Sequence, residues 1–193
     1  MTHIYFVRHA QPQHGWADDR TRPLTDEGGE DAKAVLAFLK DKPIDAFYCS
    51  PYLRSLDTIR ETAAFFGREI VTDERLRERE HGEGGNVPGM FEKRWADHAY
   101  HEEGGESIAM VQSRNMQAVR RILHECEGKT VVVGTHGTAL STILNFYDPS
   151  FGCEDFLRII DWMPYIIELT FDGEQLVGKT EHLHIQKAYK PRG

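Results

Sequence analysis

Ile4-Tyr5-Phe6-Val7-Arg8-His9-Ala10 opens the chain with four consecutive apolar residues that run straight into a cation and an imidazole. A short, unbroken apolar run suits a strand buried on both faces of a sheet. Gln11-Pro12 then turn the chain into a polar connection that lasts to Pro23. In open α/β sheets, ligands bind outside the carboxyl ends of the strands. Arg8 and His9 are therefore expected at the rim of the sheet, where an isolated Arg-His pair also reads as ordinary loop polarity.

The same pattern recurs. Thr130-Val131-Val132-Val133-Gly134 is the most obvious buried strand, and it ends at Thr135-His136-Gly137. Ala46 to Cys49 is a shorter one that ends at Ser50-Pro51, where a helix is expected because proline favours a first helical turn. Helical spacing relates Ala32, Val35, Leu36 and Leu39 behind a Thr25 cap, and Leu53, Leu56, Ile59, Ala63 and Phe66 in a second helix. Ser107 caps a third that carries Ile108, Val111, Val119, Ile122 and Leu123, and a fourth runs from about Thr138 to Tyr147. Glu69 to Thr72 is a weaker strand. Phe156–Asp161, Tyr165–Phe171 and the residues from Leu176 onward also read as strands, with a hairpin turn at Asp172-Gly173. This alternation predicts a three-layer α/β/α sandwich with a mainly parallel sheet and an antiparallel C-terminal hairpin, one domain over residues 1–193. A glycine-rich, charged excursion at about 79–106 interrupts it like a lid, with one short helix near Phe91–His98.

Composition narrows the function classes. The chain has 193 residues, 40% hydrophobic and 28% charged, with 31 acidic against 23 basic side chains and a formal charge of −8. That balance argues against nucleic-acid or anionic-membrane partners, whose binders are basic. A few converging arginines can still attract a small anionic substrate. Cys49, Cys126 and Cys153 are odd in number and show no metal-binding spacing. With no signal-like start and no membrane-length apolar run, a reduced cytoplasmic location is the expectation. The hairpin leaves an edge strand that makes a homodimer one expectation.

Three strand ends thus deliver Arg8-His9, Ser50 to Arg54, and His136. Two imidazoles and two guanidiniums meeting in one pocket suit phosphate chemistry, because guanidinium grips phosphate bidentately. An imidazole between them can attack phosphorus and carry the phosphoryl group covalently.

Taken together, Arg8-His9 with a small residue after it, Pro23-Leu24-Thr25-x-x-Gly28, Ser50-Pro51-x-x-Arg54, Leu76-Arg77-Glu78, Gly105-Glu106-Ser107 and Thr135-His136-Gly137 resemble the histidine phosphatase superfamily in order and spacing. The resemblance spans roughly residues 4 to 145, and it covers both phosphatases and cofactor-dependent phosphoglycerate mutases. It implies that His9 becomes phosphohistidine, that Arg8 and Arg54 hold the transferring group, and that His136 contacts it. It implies Glu78 as general acid and then base, with no metal or other cofactor. Gln11, Ser50, Arg79, Thr135 and Gly137 are further candidates for substrate contact. Ser50 and Ser107 read equally or better as helix caps, and His182-x-His184 lacks an obvious third metal ligand.

The chain departs from the family pattern at Ala10, where glycine is usual, and at Gln11-Pro12, where Glu-Thr and a nearby Asn are common. Arg79 follows Glu78 as in mutases, but Glu80-His81-Gly82 replaces His-Tyr-Gly, and the excursion is short and acid-rich. A mutase must exclude water from its phosphorylated intermediate, whereas a phosphatase must admit it. The expectation is a metal-independent phosphomonoesterase acting on a small phosphorylated metabolite; the alternatives are a phosphoglycerate mutase and an inactive relative that binds a phosphorylated ligand. Arg20, Arg22, Arg79, Lys93 and Arg94 are candidates for a second anionic group.

Overall fold

A computed structural model describes residues 1–189; the last four residues of the expected 1–193 domain lie outside the described residues. Among these, six strands form one sheet: β1 (Thr2–Arg8), β2 (Ala46–Cys49), β3 (Ile70–Thr72), β4 (Thr130–Thr135), β5 (Trp162–Asp172) and β6 (Gln175–Gln186). Their order is β3-β2-β4-β1-β5-β6. The first four of that series run parallel, and β5 and β6 close one edge antiparallel.

The apolar run of β1 is buried on both faces because successive side chains point opposite ways. Ile4 and Phe6 join Val131 and Val133 in one core, beneath α3 (Met90–Ala96), α4 (Ile108–Glu125), α5 (Gly137–Tyr147) and α6 (Cys153–Ile159). Tyr5, Val7 and Val132 face the other core, under α1 (Asp26–Leu39) and α2 (Leu53–Phe65). Two cores on one sheet make the three-layer α/β/α sandwich that the sequence predicts.

Two local expectations are corrected. Phe156–Asp161 is not a strand: Cys153–Ile159 is helical. The apolar run there divides by helical rather than alternate spacing, with Phe156 and Ile159 buried and Leu157 and Arg158 turned outward. Asp155 also accepts a hydrogen bond from the Gly152 N–H (3.0 Å), which holds the helix start. The second helix begins at Leu53 rather than at Ser50-Pro51, with Tyr52 at its N-cap. The residues before it remain at the end of β2, and the Ser50 hydroxyl faces elsewhere.

The connection after β1 folds back on α1. Gln13 N–H donates to Pro23 O (2.8 Å), Thr25 N–H donates to Gln11 O (3.0 Å), and the Thr25 hydroxyl caps the Gly28 N–H (2.9 Å). A Cβ added at Gly28 would lie 2.3 Å from the Gln11 carbonyl oxygen, so the helix and the loop meet backbone to backbone. Gly29, its neighbour, has nothing within 4 Å. Gly28→Ala is therefore expected to destabilise the protein by about 1–3 kcal/mol through overpacking. Gly29→Ala should stabilise it by roughly 0.5–1 kcal/mol through helix propensity. Thermal melts of the two variants, compared with the parent, check the opposite signs.

Candidate functional site

The parallel pairing of β1 with β4 sets Arg8 opposite Thr135, and the His9 N–H continues the ladder to Thr135 O (3.2 Å). The two histidines that follow therefore leave the sheet side by side, with ring centroids 5.3 Å apart. β2 lies on the other side of β4, with Cys49 opposite Gly134, and delivers α2 and Arg54 to the same end. Arg8, His9, Arg54, Glu78, Gln11, Arg79 and Gly137 all line one cavity of about 340 Å³. That volume lies within the usual range of ligand sites.

His9 is almost wholly buried. Its Nδ1 lies 2.8 Å from Ala10 O, an atom that only accepts, so Nδ1 carries the ring proton and Nε2 the lone pair. Burial holds the imidazole well below its ordinary pKa of 6.5, and the charges of Arg54 and Arg8 push it further down. His136 is buried and depressed in the same way, with Arg54 the leading charge. Its Nε2 lies 2.7 Å from the Ser50 hydroxyl, while Nδ1 has no partner among the described residues. The Ser55 hydroxyl commits its proton to Thr135 O, so it gives none to His136. Among the described residues the Ser50 proton has His136 Nε2 as its acceptor, which leaves the ring proton on Nδ1.

The two arginines are held in place by protein acceptors. Arg8 Nη1 donates to Ile159 O (2.5 Å) and Trp162 O (3.2 Å), the carbonyls at and beyond the end of α6. Its guanidinium lies against Gly137, where an added Cβ would come within 3.2 Å of Cζ. Burial lowers its pKa to about 10, opposed chiefly by the charge of Glu78. Arg54 Nη1 donates to Asp19 O (2.7 Å) and Asp19 Oδ1 (2.9 Å), and Arg54 stacks over Tyr52 at 5.1 Å. Asp19 lies in the polar connection after β1, where nothing in the sequence marks it as a partner for Arg54.

Glu78 sits at the N-terminus of α5. Its Oε1 accepts from Arg79 N–H (2.8 Å) and Ala139 N–H (3.0 Å), and its Oε2 from Thr138 N–H (3.1 Å). The cavity thus carries a carboxyl group, a neutral imidazole with a defined lone pair, and two fixed guanidiniums, a set able to bind and transfer a phosphoryl group.

The comparisons with known proteins agree with that chemistry. The model of the histidine phosphatase superfamily, branch 1, matches residues 4–159. The chain belongs to the histidine phosphatase superfamily. It is 29% identical over 153 residues to phosphoserine phosphatase 1 of Hydrogenobacter thermophilus, covering 70% of this chain and 71% of that protein. It is 28% identical over 177 residues to phosphoglycerate mutase-like protein 4 of Arabidopsis thaliana, covering 83% of this chain and 76% of that one. Among solved structures, YhfR of Bacillus stearothermophilus superposes with a TM-score of 0.75 at 26% identity, over 92% of this chain and 95% of its own. The chain is thus an enzyme of a family that contains phosphatases and mutases.

The structure divides the other candidate residues of this histidine phosphatase between the cavity and its supports. Ser50 and Thr135 do not line the cavity: Ser50 supports His136, and Thr135 O accepts from His9 and Ser55. His136 itself is wholly buried beside His9. Gln11 borders the cavity with its side-chain oxygen on the Thr25 hydroxyl (3.1 Å). Asp73 is a buried acceptor for the Arg75 backbone and guanidinium. Ser107 is the N-cap of α4, accepting from Met110 N–H (3.1 Å). His182 pairs with Glu168, and His184 stacks on Trp162 at 3.9 Å, so the two histidines serve separate contacts. Among the described residues, no cluster of three or more His, Cys, Asp and Glu is placed to hold a metal ion.

The segment that carries Glu78 is held by an arginine that the motifs do not include. Arg114 of α4 donates to Arg75 O (2.9 Å), Arg77 O (2.7 Å) and Glu78 O (3.0 Å), and pairs with Glu106. Glu106 also binds Arg77 through both oxygens and takes the Glu80 N–H (2.8 Å). Burial alone would raise the Glu106 pKa, but hydrogen bonds from Arg114 and Arg77 hold it near 2. Arg114→Met should release the carbonyls on either side of Glu78 and reduce kcat by up to about a hundredfold, as a displaced reacting group does. Steady-state kinetics should show KM less affected than kcat, and Arg114→Lys should restore less than the full rate because ammonium cannot fork across three carbonyls.

The two buried histidines also set an acid limit on stability. Their folded pKa values are depressed, so the unfolded chain binds more protons once the pH falls below about 6.5. Stability is complete above that pH and declines below it, by about 1.4 kcal/mol per pH unit for each histidine. Melting temperatures measured from pH 8 to 5 should begin to fall before the carboxylates titrate. A double His9→Phe, His136→Phe variant should flatten that early fall.

Proposed function

We propose that this protein is a phosphomonoester hydrolase that works through a phosphohistidine at His9. The observation that carries the reading is the tautomer of His9: Ala10 O binds Nδ1–H, so Nε2 offers its lone pair beside two fixed arginines. In the first step, Nε2 attacks phosphorus and the bond from phosphorus to the ester oxygen breaks. Arg8 and Arg54 hold the phosphoryl oxygens, and a proton from Glu78 goes to the departing alkoxide. The Arg8 Nε and His136 Nδ1, both buried and without partners among the described residues, are further donors for those oxygens. In the second step, water attacks phosphorus, its proton passes to the Glu78 carboxylate, and the N–P bond breaks. Orthophosphate leaves and His9 returns to its neutral form. Positioning and charge stabilisation supply most of the rate, as is general for phosphoryl transfer.

The relatives support phosphate ester chemistry without choosing its outcome, since one is named a phosphatase and another mutase-like. The ion pairing of the excursion favours hydrolysis. Arg79 and Arg94, two candidates for gripping a second phosphate, both pair with the buried Glu102. Arg20 pairs instead with Glu74 at the surface, and Lys93 lies over the Tyr100 ring. A bisphosphorylated intermediate would have to displace Glu102 and leave it buried and unpaired.

The test is a panel of phosphomonoesters, including phosphoserine and 3-phosphoglycerate, assayed with chelator present for free phosphate and for 2-phosphoglycerate. Phosphate release is expected, with His9→Ala inactive and Glu78→Gln slower by about 10²–10⁴. Isomer formation without phosphate release would move the enzyme to the mutase branch.

A further inference from the structure

One part of the cavity wall is built from rings. Tyr189, Phe91, Phe156 and Trp95 form a continuous ladder, with centroids 6.0, 5.1 and 5.9 Å apart in that order. Ile108 and Met163, both buried, complete the wall. These residues come from four separate places: α3, the start of α4, α6 with the β5 strand beyond it, and the segment after β6. Aromatic and aliphatic side chains brought together from such distant parts make a floor that water solvates poorly, and apolar ligand surface gains by covering it.

Two of the cations that line the cavity, Arg94 and Arg79, are already committed. Arg94 donates from Nε to Glu102 (2.8 Å), from Nη1 to Asn86 Oδ1 (2.7 Å) and from Nη2 to Gly85 O (3.0 Å), and it is almost wholly buried. Arg79 donates to Glu106 O (3.0 Å) and pairs with the same Glu102. A carboxylate or second phosphate on the leaving group would find these guanidiniums occupied.

Tyr189 closes the wall from the C-terminal segment. Its N–H donates to Asp161 Oδ1 (2.8 Å), and its hydroxyl accepts from Asn86 of the excursion (3.0 Å). Two residues earlier, Lys187 N–H donates to Asp161 O (2.7 Å) and its ammonium pairs with Glu27 and Asp31 of α1. The segment is therefore strapped across the cavity rather than trailing from the sheet, and its ring faces substrate space.

We propose that this part of the site receives an apolar alkyl or aryl alcohol portion of the phosphomonoester, without a second anionic group, and that Tyr189 and Phe91 are specificity-determining residues for it. The proposal deepens the hydrolase reading and rests on it for the orientation of the ester.

The experiment uses ethyl, butyl and hexyl phosphate, whose leaving alcohols are similar, with phosphoserine as the charged comparison. Calorimetry on full-length His9→Ala protein reads binding without turnover, and phosphate release by the parent enzyme reads kcat/KM. Burial of each methylene is worth about fourfold, so affinity and kcat/KM should each rise on the order of a hundredfold from ethyl to hexyl phosphate. Phosphoserine should rank with ethyl phosphate. Tyr189→Ser and Phe91→Gln should each cut the gain with chain length at least severalfold, and Tyr189→Phe should keep it. Equal affinity across the series, or phosphoserine bound best, would overturn the subsite even if phosphate is released. So would a chain-length gain untouched by both the Tyr189 and the Phe91 substitutions. Chain-length-dependent binding with no phosphate released from any ester would keep the subsite and overturn the hydrolase reading.

Discussion

The parallel pairing of β1 with β4 is the constraint on which the site depends. Val7 opposes Gly134 and Arg8 opposes Thr135, so the chain leaves both strands at the same level and puts two imidazoles in contact. A shift of β1 by one residue would send its alternate side chains to the opposite face, taking Ile4 and Phe6 out of the core they share with Val131 and Val133 and into the other. The packing of both cores thus enforces the register that the chemistry needs. The same register places the first turn of α5 where its N–H groups meet the Glu78 carboxylate.

Around that centre, arginines work in two ways. Arg8 and Arg54 face the cavity, each anchored by carbonyl or carboxylate groups on one nitrogen. Arg77, Arg114, Arg79 and Arg94 are absorbed into pairs with Glu106 and Glu102. These pairs give structure to an excursion that has little periodic secondary structure. Its two ends are also joined directly, with Glu83 N–H on Glu103 O and Glu106 N–H on Glu80 O. A long segment with no apolar stripe is ordered here by buried ionic groups, each satisfied by several donors.

Much of the fold was legible because the sheet is buried on both sides. Continuous apolar runs at Ile4–Val7 and Val131–Val133, separated by amphipathic helices, admit few architectures. The misreading of Phe156–Asp161 has a physical origin. Six residues of mixed apolar character fit either period, and the choice was made by α6 packing Phe156 against Phe91 and Trp95. Ser50 was similarly ambiguous, since a serine after a strand can cap a helix or serve a neighbour. The neighbour, His136, comes from 86 residues away, and its demand for a partner at Nε2 prevailed.

By itself, the sequence determined most of the strand and helix order, the family, and the candidate reactive groups at the strand ends. Those are local patterns: periodicity, capping residues and short motifs at strand ends. Only the tertiary structure decided which nitrogen of His9 keeps its lone pair, how Asp19 and Arg114 hold Arg54 and the Glu78 segment, and that Tyr189 joins the cavity wall. The last three depend on atoms brought together across tens of residues, where no sequence spacing records the contact, and the first on the folded turn that sets the neighbouring Ala10 carbonyl against the ring. A hydrogen bond or a ring contact is set by ångströms in space, and folding alone supplies them.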